Sequence, residues 1–171
     1  SVLLGFPHVH YWMLAWQPGL FSQADWQGFA QATFNQQTGI EPVAWQVQVA
    51  DAGFGQPRLA VATPLDLLAD LRALFKLKAL PLAACTPLLT TTLAHYRAQL
   101  PAACVLAAPE PNALGSLYVQ QGLISQVLLM PTAPQARLTY RPFSAPLPPE
   151  PPQAPTFLVP PPPASPPPPP P

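Results

Sequence analysis

Few residues in this chain have the types and spacing for chemistry. Asp51-Ala52-Gly53-Phe54-Gly55 sets an acid and two glycines between apolar runs, the arrangement by which several nucleotide-binding folds hold a phosphate. A working cradle needs convergent N–H donors at a helix N-terminus, joined by a lysine, a hydroxyl or a metal-holding acid. Here the loop passes through Gln56-Pro57 into another apolar run and has no Ser, Thr or Lys. It is therefore predicted to be a glycine-permitted hairpin turn. His8 and His10, two apart, share one face of a strand, and with His95 they would form a three-histidine metal site. This set supports an alternative reading as a small metal-dependent enzyme. Without a closer ligand signature the three read as edge or helix-surface residues. Asp66 and Asp70, at i and i+4, read as a capping acid and a solvated acid rather than a catalytic pair. Gly115-Ser116 lacks the G-x-S-x-G elbow of a nucleophilic serine. No catalytic, cofactor-binding or metal-ligating residue is assigned, and no cofactor is expected.

The remaining polar and aromatic residues read as structural. Arg72, Lys76, Arg97 and Arg137 are expected on the surface. Trp12, Trp16, Trp26 and Trp45 could stack sugars or bases, but three of them occupy periodic positions that suit a core. Cys85 and Cys104 sit in apolar runs with no second thiol nearby, as buried free thiols would in a reducing compartment. Seven basic and seven acidic side chains leave no basic stripe for a nucleic-acid backbone. Charged residues make up 8% of the 171, far below the usual quarter or so, so a partner is expected to cover part of the surface. No apolar run has the ~20 residues needed to cross a bilayer, so direct membrane insertion is not expected. The opening SVLLGFPHVHYWML has neither a basic n-region nor a small-residue cleavage site. It begins at a serine, which leaves an upstream targeting segment open.

These residues must be positioned by an α/β (α+β) mixed sheet with helices packed on it. Residues 9–16 read as a strand, with Val2 to Leu4 as its hairpin partner across Gly5-Phe6-Pro7. Ser22 and Asp25 form a capping box, Phe21 and Trp26 a hydrophobic staple, and Trp26, Phe29, Ala30, Thr33 and Phe34 the inner face of a helix ended by Gly39. Val43, Trp45, Val47 and Val49 alternate as a strand, and Arg58 to Ala62 supplies the next. Thr63-Pro64-Leu65-Asp66 predicts a hydroxyl-capped helix with Leu67, Leu68, Leu71, Leu74 and Phe75 inward, and Thr86-Pro87 predicts another. A short strand over 80–85 lies between them, a doubly covered strand over 102–108 follows, and a hairpin turns at Gln121-Gly122.

The tracts LAWQPGLFSQADWQGFAQATF, WQVQVADAGFGQPRLAVATPLDLLADLRAL and ACVLAAPEPNALGSLYVQQG resemble a group of bacterial actin-like (RNase H-like) pilus and secretion proteins of the PilM, MshI and GspL type. The resemblance covers residues 1 to about 130 and lies in the order and pattern of elements. It implies a scaffold or adaptor on the cytoplasmic side of the inner membrane whose partners are other assembly proteins. In members that bind ATP, an Asp-x-Gly-(Ser/Thr) phosphate loop opens the second half. The matching position here is Glu110-Pro111-Asn112, with no Asp-Gly pair and a proline that removes an N–H donor.

Residues 131–171 form a second region, a proline-rich tail. Seventeen of the 29 prolines lie from Pro142 to Pro171. The pure runs Pro160, Pro161, Pro162, Pro163 and Pro166, Pro167, Pro168 onward predict polyproline II, as a spacer or as a docking peptide for an SH3-like or profilin-like groove. Neither helix nor sheet is expected there.

Overall fold

The computed structural model describes residues 1–132 together with Thr156–Leu158. Its elements run in the predicted order through β8: β1 (Val2–Leu4), β2 (His10–Leu14), α1 (Gln23–Thr38), β3 (Trp45–Val49), β4 (Arg58–Pro64), α2 (Leu65–Leu77), β5 (Cys85–Pro87), α3 (Leu88–Tyr96), β6 (Cys104–Glu110), β7 (Ala113–Gln120) and β8 (Leu123–Pro131), with β9 (Thr156–Leu158) added beyond it. The strands form an antiparallel sheet ordered β2-β4-β3, a sheet ordered β8-β7-β6-β9, and a parallel pair β1-β5.

Helix α1 begins where the sequence predicts. The Ser22 hydroxyl accepts from the Asp25 amide, the Asp25 carboxylate accepts from the Ser22 amide, and Gly39 closes the helix at φ 69°. The expected staple does not form, because Phe21 is 85% exposed while Trp26 is buried. Trp26, Ala30 and Phe34 press onto Trp12, Leu14, Val47, Val49, Ala60 and Ala62 of the three-stranded sheet. Leu59 and Val61 pack elsewhere, with Leu4, Val9 and Leu68, which is the period-two partition of β4 between two clusters. A third cluster joins Leu89 of α3 to Leu106, Ala108 and Leu117. Of the tryptophans, Trp12 and Trp26 are buried in the first cluster and Trp16 and Trp45 pack against it, so the core reading of these residues holds.

Strand β3 pairs with β4 in the register Val47↔Ala62 and Val49↔Ala60. Because the Ala50 amide donates to Leu59 O at 2.8 Å, antiparallel alternation turns the polar groups of Val47 and Val49 away from β4. Side chains of α1 reach them. Gln27 Nε2 donates to Val47 O and Gln23 Nε2 to Val49 O, at 2.5 and 3.2 Å.

Several expectations are corrected. β1 pairs in parallel with β5, Val2↔Cys85 to Leu4↔Pro87, and not with β2. Thr63 and Thr86 do not cap α2 and α3. They belong to β4 and β5, and Pro64 and Pro87 are the caps, without side-chain bonds. Pro87 O instead accepts from the hydroxyls of Thr90 and Thr91. The inner face of α2 is only partly covered, with Leu68 buried but Leu74 48% exposed. The proline-rich region does contribute to a sheet, since β9 lies parallel to β6 from Val105↔Thr156 to Ala107↔Leu158. That run contains no proline, so all its amides can donate.

Candidate functional site

The two loops with phosphate-like patterns turn out differently. Residues 51–57 form the predicted turn between β3 and β4: Gln56 N–H donates to Gly53 O, Gly53 N–H to the Gln56 side chain, and Gly55 takes φ 77°. Asp51 points outward and lies 3.7 Å from Arg58. No helix N-terminus follows, so no anion cradle is built there.

The second loop is a tight hairpin in which Glu110 pairs with Ala113 across Pro111-Asn112. The Glu110 carboxylate is buried and turned inward to the β1–β2 turn, where Oε2 accepts the Phe6 amide. Two glycines make room for it. A Cβ on Gly5 would collide with this carboxylate, and one on Gly115 would stand 3.5 Å from Oε1. Tyr11 lies beside it and accepts the Leu89 amide, at the start of α3, at 3.3 Å. Oε1 has no hydrogen-bond partner among the described residues. Burial pushes the Glu110 carboxyl above the ordinary glutamate value of 4.5, and the Phe6 amide partly offsets this. Burial, with the Glu110 charge adding to it, also raises the Tyr11 hydroxyl.

A raised folded-state carboxyl gives stability that is present below the unfolded pKa and lost as pH rises through the folded one. Glu110→Gln, which cannot ionise, is therefore expected to gain on the wild type in urea midpoint as pH climbs from about 4.5. A gap that stays constant from acid to neutral pH would show that the carboxyl is not held in its neutral form. His10 titrates with the opposite sign, because burial lowers it, and it is common to both proteins.

The three histidines are not brought together. His10 packs edge-on to Trp45 and Phe34, at 5.1 and 5.8 Å between ring centres. His95 stacks edge-on to Tyr96 on α3, and His8 is exposed in the β1–β2 turn. Among the described residues no cluster of three or more His, Cys, Asp or Glu is placed to hold a metal. Asp66 accepts the Leu67 amide in the first turn of α2. Asp70 is exposed on α2, and Ser116 is an ordinary residue of β7. Pro160 to Pro163 and Pro166 to Pro168 lie outside the described residues.

Sequence reasoning missed a groove of about 570 Å³ beside α2. Leu68 and Phe75 of α2 and Leu80 and Leu82 of the following segment give it apolar walls. Gln46, Gln48 and Thr63, from paired positions on β3 and β4, add polar groups. Arg72 and Lys76, read from sequence as plain surface charges, line it too, and no acid does. The α2 terminus shapes its end: Ala79 takes φ 51°, and Leu80 N–H turns back to Phe75 O at 2.9 Å. The sequence carries a signal for the groove's charge but not for its shape, since no Asp or Glu stands between Asp70 and Glu110 while Arg72, Lys76, Lys78 and Arg97 all do.

No helix among the described residues is long and apolar enough to cross a membrane. No family model and no curated protein matches the chain. Among solved structures it is similar to the cytoplasmic domain of EpsL, an inner membrane component of the type II secretion system of Vibrio cholerae, with 11% identity and a TM-score of 0.54 over 76% of this chain and 49% of that one. It is also similar to a Bacteroides thetaiotaomicron protein with an actin-like ATPase fold, at 10% identity and a TM-score of 0.48 over 75% of this chain and 46% of that one. The chain spans about half the length of each of these structures. Over that half, its mixed α/β architecture is similar to that of the EpsL cytoplasmic domain, a likeness of fold.

Proposed function

We propose that the chain is a non-catalytic adaptor in a pilus or type II secretion-like assembly, working on the cytoplasmic face of the inner membrane through protein partners. The observation that carries this reading is the Glu110 carboxylate. At the position where ATP-binding relatives of the resembled family place a phosphate loop, the chain inserts its own carboxyl side chain, takes the Phe6 amide with it, and closes the hairpin with Pro111. A phosphate entering there would meet a carboxyl group where it needs donors. The low charge content and the groove beside α2, with its mixed apolar and polar lining, support contact with a protein partner. The likeness to the EpsL cytoplasmic domain supplies the setting and is a likeness of fold.

Isothermal titration of the full chain with ATP and Mg²⁺ tests the reading. No saturable heat is expected. Binding with a micromolar Kd would defeat it.

A further inference from the structure

We propose that the groove beside α2 docks an acidic, amphipathic peptide segment of a partner protein. This names the chemistry of the partner in the adaptor reading and rests on that reading. Three observations select the occupant. The groove is concave with apolar walls, Leu68, Phe75, Leu80 and Leu82, so it takes inserted side chains of about leucine size rather than a flat surface. Its lining charges are Arg72 and Lys76, with no acid in the lining, so carboxylates on the occupant are favoured and ammonium groups repelled. Gln46, Gln48 and Thr63 contribute side-chain groups that can both donate and accept, which suits a peptide backbone.

The same features disfavour other ligands. A small polyphosphate would meet Arg72 and Lys76 but leave the apolar walls of Leu68, Phe75, Leu80 and Leu82 without a partner. A flat bilayer surface can meet the exposed Arg72, Lys76 and Leu80 but leaves the buried Leu68 and Thr63 behind them unused. A peptide carrying leucines at i, i+3 or i+4 and i+7, with glutamates between, presents an apolar stripe flanked by carboxylates and meets both requirements.

The test uses the full chain and a fluorescein-labelled peptide of this design, roughly 12 residues long, beside a version with lysine for glutamate. Anisotropy should report micromolar binding of the glutamate peptide that weakens with added salt, and much weaker binding of the lysine peptide. Arg72→Glu with Lys76→Glu, both on exposed positions of α2, should weaken it by about tenfold or more. Leu80→Ser, at a residue 57% exposed, should also weaken it, through the apolar wall and without a change of charge. Cys85 lines the groove, whereas Cys104 is buried. Bound peptide should therefore slow alkylation of Cys85 in the unmutated chain. Binding that is equal for both peptides, unchanged in both variants, or absent would overturn the proposal. So would binding to vesicles of equimolar phosphatidylglycerol and phosphatidylcholine without binding to the peptide. A silent ATP titration beside a failed peptide titration removes this proposal alone and leaves the adaptor reading standing.

Discussion

Phe34→Ala is expected to cost about 3–5 kcal/mol and to leave the domain marginal or unfolded at room temperature, since domains of this size have only about 5–15 kcal/mol in hand. Phe34 is 1% exposed and sits at the centre of the aromatic cluster, with ring centres 5.3 Å from Trp12, 5.3 Å from Trp45 and 5.8 Å from His10. It is contributed by α1, and the rings it touches belong to β2 and to the start of β3. Truncation removes the contact between helix and sheet and leaves a void walled by rigid rings, which cannot collapse to fill it. Urea unfolding followed by tryptophan emission reads both the lower midpoint and the altered surroundings of Trp12 and Trp45. Val43→Ala, at a residue 83% exposed, is the control and should stay within about 0.5 kcal/mol of the parent. A Phe34→Ala protein that is as stable as this control would mean that α1 is not seated on the sheet as described.

Gly5→Ala is expected to cost about 1–3 kcal/mol, a large effect for one methyl group at a half-buried position. The new Cβ would stand 2.9 Å from Glu110 Cδ and closer still to Oε2. The carboxyl group is buried, so the side chain, the β1–β2 turn or the β6–β7 hairpin must move and the Phe6 bond is lost. In a Glu110→Ala background the obstacle is gone, and Gly5→Ala should then be nearly silent. The double-mutant cycle should therefore show a coupling of at least about 1 kcal/mol. Additive effects would show that the two residues do not touch and would remove the geometric support for the filled phosphate position.

How much of this was legible in the sequence follows from the range of each interaction. The capping box at Ser22 and Asp25, the αL stop at Gly39 and the turn at Gln121-Gly122 are written within four residues, and each stands where it was read. The element order followed from periodicity. The partner of β1 did not, because a parallel pair joining residues 2–4 to 85–87 leaves no local mark on either strand. Thr63 and Thr86 were misread because a hydroxyl followed by proline suits a helix start, while the ladder extends β4 through Pro64 and β5 through Pro87 before the helix can begin. The site was less legible still. The absence of an Asp-Gly pair at 110–112 was plain, but the bond from Phe6 to Glu110 spans 104 positions, and only the fold tells why Gly5 is a glycine. The groove was hidden because a helix with a regular leucine face predicts burial on that face, and α2 leaves part of it uncovered.

The glutamines of α1 have a consequence for how the chain meets other extended chains. An outermost strand with vacant oxygens offers a template to any passing extended chain, and a protein so poor in repelling charge has little else to keep such encounters brief. By committing the oxygens of Val47 and Val49 to its own helix, the molecule withdraws two acceptors from the outer flank of β3 and so weakens it as a template for ribbon-like growth.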